Sequence, residues 1–145
     1  RNGEYLRQRL EEIEGVGLQK LTAPGNVSAY HLYIFTYDER AFGGLHRDTF
    51  LKALGAEGIG AARGYNPLYR EGLLARYFDS SKFPFAPRYY DGQVDYTKVS
   101  CPACEHVCDR GSFWMSQRIG LADEKDMDDI ADAILKIQRN LQELL

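Results

Sequence analysis

Residues 30–37, YHLYIFTY, constrain the fold of this 145-residue chain more than any other segment. Aromatic and β-branched side chains fill both alternating sets of positions, which suits extended backbone and reads as a central strand covered on two sides. The flanking segments read as helices. Upstream, Leu6, Leu10 and Ile13 recur at spacings of four and three within residues 1–14, an amphipathic helix that Gly15 ends. Downstream, residues 38–45 carry Gly43 and Gly44 and read as a loop. Phe50, Leu51 and Leu54 then mark a short helix closed by glycine at 55 or 58, and residues 59–63 read as a second strand.

Residues 64–100 hold Pro67, Pro84 and Pro87 among many tyrosines and phenylalanines, and neither helical nor strand period persists there. The aromatic load opposes disorder, and long ordered loops in compact domains tend to be functional, so this stretch reads as surface or pocket. Pro102 opens a helix to about Asp109, and residues 113–115 form a short strand. A last helix begins near Asp123, a plausible N-cap, and carries Met127, Ile130, Ile134, Ile137 and Leu141 at three- and four-residue spacings. This order of elements predicts an α+β fold: a small, largely antiparallel sheet of three or four strands with helices packed on one face.

Composition narrows the class. A chain of this length buries roughly 68–70% of its unfolded surface, so one hydrophobic core suffices without disulfide or metal. Eighteen Lys and Arg against 21 Asp and Glu leave a charge of -3, without the basic excess that neutralises phosphates, which disfavours nucleic acid. Three cysteines do not make the even-numbered framework of a small secreted domain, and a reducing cytoplasm is expected. No apolar run approaches the ~20 residues that a bilayer requires, and no signal peptide is evident. The chain starts at Arg1 without methionine, inside what reads as a helix, and is expected to be a piece of something longer.

Cys101, Cys104 and Cys108, with His106 between them, first bring zinc or an iron–sulfur cluster to mind. On a helix, however, residues seven apart lie about 10 Å apart along the axis, whereas thiolates sharing one zinc lie within ~4 Å of each other. His106 sits about 140° around the helix from Cys101. The expected role is therefore three small apolar residues packing a helix, with thiol-redox chemistry at the C-x-x-C spacing as the rival. The segment GYNPLYREG at residues 64–72 concentrates two phenols, an amide and a guanidinium, groups that hold hydroxylated or carboxylated small molecules. A blander reading makes Tyr65 and Tyr69 loop anchors with Arg70 solvated. His31 is expected to be a satisfied sheet residue, and His46 stands where a helix starts. No phosphate-binding glycine loop occurs, since Gly55, Gly58 and Gly60 fall at a helix end.

Six segments in order, RNGEYLRQRLEEIEGV, SAYHLYIFTYD, RDTFLKALGAEGIGA, YNPLYR, CPACEHVCD and FWMSQRIGLADEKDMDDIADAILKI, resemble the C-terminal portion of the DegT/DnrJ/StrS-type sugar aminotransferases. These are pyridoxal-phosphate enzymes of fold type I. YNPLYR and WMSQ look most like members acting on amino-sugars and aminocyclitols. The resemblance implies transfer of an amino group from glutamate or glutamine to a keto-sugar or keto-cyclitol by an enzyme that is a homodimer when full length. It places the Schiff-base lysine and most cofactor contacts in a larger N-terminal domain, leaving residues 1–145 as the C-terminal small domain, inactive alone.

None of Lys20, Lys52, Lys82, Lys98, Lys125 or Lys136 stands in the context of the family's Schiff-base lysine, so no catalytic residue is assigned, and the cysteine spacing leaves no metal ligand assigned either. Carried over position by position, Tyr65, Asn66, Tyr69, Arg70 and Gln117 are the candidate substrate-binding residues. Many relatives carry a histidine where Gln117 falls. Two rival functions are a metal-binding or thiol-redox module built on Cys101, Cys104 and Cys108, and a noncatalytic protein-interaction domain using the aromatic loop.

Overall fold

The computed structural model describes residues 1–20, 23, 25–72, 81–92 and 95–145. The chain divides into two compact units, residues 1–64 with 110–145, and residues 65–109. The first unit holds helices α1 (Asn2–Leu10), α2 (Arg47–Ala56) and α4 (Glu124–Arg139) and the strands β1 (Val16–Leu18), β2 (Leu32–Tyr37), β3 (Ala62–Arg63) and β4 (Ser112–Ser116). The second contains a short helix, α3 (Pro102–His106), whose chain continues into a π turn, Val107–Gly111.

The four strands form one antiparallel sheet in the order β1-β2-β4-β3, matching the α+β architecture expected. Its centre is the β2–β4 ladder, which pairs Tyr33 with Met115 and Phe35 with Phe113. Side chains alternate across a strand, so Tyr33, Phe35 and Tyr37 share one face and are all buried. Leu6 and Leu10 of α1, Phe50 and Leu54 of α2, and Met127, Ile130, Ile134 and Ile137 of α4 join them in one core.

The expectation that β2 is covered on two sides fails. Ile34 is 38% exposed and Thr36 is exposed, because the apolar stripes of all three helices converge on the tyrosine and phenylalanine face. Within that core Phe35 stacks on Phe113 with centroids 4.6 Å apart and planes 6° apart. Phe50 packs against both Phe113 and Tyr37, at 5.4 and 4.8 Å.

Boundaries shift for local reasons. The first helix stops at Leu10 rather than near residue 14, and Gly15 adopts a left-handed φ of 86° that turns the chain into β1. β1 itself was not anticipated: three residues with a central glycine offer no period to read, and pairing with Phe35, Thr36 and Tyr37 of β2 creates it. The strand expected at 59–63 is confined to Ala62–Arg63. α4 begins as its sequence dictates. The Asp123 carboxylate accepts from the Asp126 N–H at 3.0 Å, and the Asp126 carboxylate accepts from the Asp123 N–H at 2.9 Å, a reciprocal capping box.

Arg47, at the first turn of α2, is a charged residue inside this core. Its guanidinium donates to the Ser112 carbonyl at 3.1 Å and to Asp48 Oδ1 at 3.0 Å, which fastens the start of α2 to the start of β4. Nothing in its sequence context distinguished it from a solvated arginine.

The one-sided cover is testable by equilibrium urea unfolding. Phe35→Ala is expected to cost about 3–5 kcal/mol, the range for truncating a buried phenylalanine. Ile34→Ala, one position along and on the other face, is expected to cost no more than about 1 kcal/mol. Equal losses would mean that both faces are covered.

Candidate functional site

In the second unit, Pro67 precedes a 3-10 turn, Leu68–Arg70, closed by the Arg70 N–H to the Pro67 carbonyl at 2.8 Å and the Glu71 N–H to the Leu68 carbonyl at 3.0 Å. The turn separates the four loop candidates. Tyr65 and the neighbouring Leu68 are 71% and 72% exposed, and the Asn66 amide donates to Glu71 Oε1 at 3.0 Å. Tyr69 and Arg70 instead meet α3 and the turn after it. The Tyr69 hydroxyl donates to Glu105 Oε1, which also accepts the Cys101 N–H at 2.9 Å. Arg70 pairs with Asp109 at 2.9 and 3.1 Å and reaches Glu105 Oε2 at 3.4 Å, with its guanidinium 5.9 Å from the Tyr69 ring centre.

The electrostatics follow from this contact set. Loss of solvent pushes the Tyr69 phenol up to about 12, and the Glu105 carboxylate that accepts its proton adds to the shift. Glu105 is held below the usual carboxylate range by the Tyr69 hydrogen bond and then by the Cys101 N–H. Hydrogen bonding to Asp109 raises Arg70 further. Near neutral pH the cluster is therefore a protonated phenol and a guanidinium locked on two carboxylates, suited to holding a loop shape and not to proton abstraction. The spacing of Glu105 and Asp109, four residues apart and so on one helical side, was the available sequence signal for these partners.

Gln117 belongs to the first unit. It opens the 3-10 turn Gln117–Leu121 that follows β4, and it lines a cavity of about 190 Å³ with Arg1, Asn2, Gly3, Ala29, Tyr30, Tyr33, Gly120 and Leu121.

The cysteines do not pack as expected. Cys101 and Cys104 are exposed and Cys108 is half-buried, because Cys101 stands before the helix as its N-cap and α3 presents its cysteine side outward. The turn after α3 brings the Cys104 and Cys108 sulfurs to 3.9 Å, and burial raises the Cys108 thiol. Among the described residues, no group of three or more His, Cys, Asp and Glu side chains is placed to hold a metal ion.

His46 is an N-cap whose Nδ1 accepts from the Asp48 N–H at 3.2 Å. His31 is not a sheet residue: it lies exposed at a bend one position before β2, where the chain has yet to pair. Among the described residues, no helix is long and apolar enough to cross a membrane.

The profile of the DegT/DnrJ/EryC1/StrS aminotransferases matches residues 1–134. The chain belongs to that family. Its relatives include a putative L-glutamine:3-amino-2,3-dideoxy-scyllo-inosose aminotransferase of Streptomyces kanamyceticus, 32% identical over 79% of this chain and 27% of the relative. An L-glutamine:2-deoxy-scyllo-inosose aminotransferase of Streptoalloteichus tenebrarius is 34% identical over 99% of this chain and 33% of its own length. The chain thus spans about a third of the length of these relatives. The crystal structure of 3-amino-5-hydroxybenzoic acid synthase shares the fold, with a TM-score of 0.66 over 94% of this chain and 32% of that one, at 20% identity. These matches support neither the metal or thiol-redox reading nor the interaction-domain reading.

Enzymes of this family are generally pyridoxal-phosphate dependent. A Schiff-base lysine has to be withdrawn from water or set beside another cation, so that its amine deprotonates. The lysines here do not fit that role. All six are exposed, and Lys98, Lys125 and Lys136 are ion-paired with Asp95, Asp129 and Glu57 at 3.1, 3.0 and 2.7 Å.

Ring-carbon NMR titration, assigned with Tyr69→Phe, should find the Tyr69 midpoint near the raised value. Glu105→Gln should lower it part of the way towards 10, leaving the share due to lost solvent. Because the Glu105 value is depressed on folding, its stabilising contribution is present above the unfolded pKa, about 4.3. It disappears as pH falls through the lower folded value. Melting of the loop contact at pH 5–6 would contradict this.

Proposed function

We propose that this chain is the C-terminal small domain of a pyridoxal-phosphate-dependent aminotransferase, a homodimer when complete, that moves the amino group of glutamine onto a keto-cyclitol. The observation that carries the proposal is the 34% identity along 99% of the chain to an L-glutamine:2-deoxy-scyllo-inosose aminotransferase. The glutamine donor and the cyclitol acceptor are taken from the names of that relative and of the Streptomyces kanamyceticus one. The share of those relatives left unmatched, together with the exposure of every lysine here, supports a division of labour in which residues outside this chain bind the coenzyme.

Within that division, this chain binds and orients substrate. Gln117 offers both a donor and an acceptor to a ring hydroxyl, which a neutral amide does without adding charge to an uncharged substrate. Tyr65 and Asn66 present an aromatic face and an amide at the surface of the loop unit. Tyr69 and Arg70, held by Glu105 and Asp109, fix the loop from which those two groups project. None of these residues is asked to move a proton.

The test is to assay the complete protein, loaded with pyridoxal phosphate, using L-glutamine and 2-deoxy-scyllo-inosose, and to detect the aminocyclitol by mass spectrometry. Product is expected from the complete protein and none from residues 1–145, which should also form no lysine-linked absorption band with the coenzyme. Gln117→Ala is expected to raise KM for the keto-cyclitol roughly 2- to 12-fold, the factor for one neutral hydrogen bond of about 0.5–1.5 kcal/mol. KM for glutamine should stay unchanged. Turnover by residues 1–145 alone, or absence of aminocyclitol from the complete protein, would refute the reading.

A further inference from the structure

The cavity beside Gln117 has a floor that the rest of the molecule leaves chemically unfinished. Tyr33 is 3% exposed, yet its hydroxyl makes no hydrogen bond among the described residues. Among the described residues no buried side-chain nitrogen or oxygen lacks a partner, so this oxygen keeps some access to the cavity that Tyr33 lines. Two glycines keep it open. A Cβ at Gly120 would stand 2.7 Å from this oxygen, and one at Gly3 would stand 3.0 Å from it and 2.7 Å from the Tyr30 ring.

The walls are fixed rather than adaptable. Tyr30, at a left-handed φ of 49° that is costly for a bulky residue, stacks on Tyr33 with centroids 4.6 Å apart and planes 14° apart. Across the cavity mouth the Asn2 amide donates to the Gly120 carbonyl at 3.1 Å and to the Ala122 carbonyl at 2.5 Å, pinning the start of α1 to the turn that carries Gln117.

Charge then selects the ligand. Among the described residues, Arg1 is the cationic side chain that lines the cavity, and its bond to Glu124 Oε1 at 2.7 Å disfavours a phosphate or a carboxylate there. Burial raises the Tyr33 phenol, keeping it protonated and able to donate. A cavity of about 190 Å³ has room for several waters or for part of a hydroxylated ring.

We propose that this cavity is a hydroxyl-binding subsite for an uncharged polyhydroxylated ring, with the Tyr33 hydroxyl donating at its floor and the Gln117 amide bonding at its rim. As a subsite for the cyclitol acceptor, this rests on the aminotransferase function proposed above. It adds a binding residue that sequence comparison of loop motifs did not single out, and it explains why positions 3 and 120 are glycine.

The experiment uses the complete coenzyme-loaded protein with 2-deoxy-scyllo-inosose and glutamine. Tyr33→Phe is expected to raise KM for the keto-cyclitol about 3- to 10-fold with kcat and the KM for glutamine unchanged. Its thermal midpoint should match the parent, because the hydroxyl bonds to nothing in the fold. Gly120→Ala, which covers the oxygen, should reproduce the KM effect, and combining it with Tyr33→Phe should add little. A parent enzyme that turns over the keto-cyclitol while both variants keep its KM would overturn the subsite and leave the proposed function standing. A lowered midpoint with unchanged KM for Tyr33→Phe would overturn it too, by showing that the hydroxyl serves the protein's own packing. A parent enzyme inert towards the keto-cyclitol would instead strike the proposed function. In that case, protection of the midpoint by myo-inositol in the parent, and its loss in Tyr33→Phe, would still support the subsite, and no protection would remove it.

Discussion

The parallel stack of Phe35 on Phe113, across the central ladder of the sheet, is the contact on which the first unit depends. It sits where β2 and β4 pair and where Phe50 of α2 closes from the helical side. Aromatic pairs of this kind add to an already large burial of apolar area. Because the side-chain period of a strand is two, seating Phe35 inward also decides the direction of Tyr33 and Tyr37. A slip of one residue would place Ile34 and Thr36 against the helices and turn three aromatic rings to water. The register that secures the core is thus the same register that delivers the Tyr33 hydroxyl to the floor of the cavity beside Gln117.

The second unit is organised by another force. Here polar groups do what aromatic stacking does in the first: Glu105 collects a phenol, a backbone N–H and the edge of a guanidinium, and Asp109 takes the rest of that guanidinium. A half-exposed ion pair is weak by itself. Shared acceptors make the contacts interdependent, so the loop from Pro67 to Arg70 holds a defined shape without a large core. Tyr65 stands 71% exposed on that frame, and the Asn66 amide is tied to Glu71 at 3.0 Å, while Tyr69 and Arg70 support the loop.

Much of this fold was readable in advance. The long apolar period of α4 and its Asp123 cap were legible because both signals are local: a helix repeats every 3.6 residues and its first turn needs an acceptor. The aromatic density of residues 30–37 identified the central strand but overstated its cover, since composition reports how apolar a strand is and not how many layers lie over it. β1 escaped notice for the opposite reason, being a strand only by virtue of the edge it pairs with. The cysteines show the same limit. Their spacing suggested residues that pack a helix, yet a helix side is apolar or wet according to what packs against it, and Cys101 and Cys104 face outward.

At the candidate site, sequence alone determined the family and the chemical types on offer, because ordered motifs and residue identities are properties of the chain itself. It named Tyr69 and Arg70 without their carboxylate partners and Gln117 without its cavity. Tertiary structure alone decided that Tyr69 and Arg70 are held by Glu105 and Asp109, and that Tyr33, which reads as one more strand aromatic, lines the cavity beside Gln117 with no hydrogen bond from its hydroxyl among the described residues. Both outcomes depend on atoms brought together from 30 to 87 positions apart. Burial and hydrogen-bond satisfaction are set by such neighbours, and no local pattern in the chain encodes them.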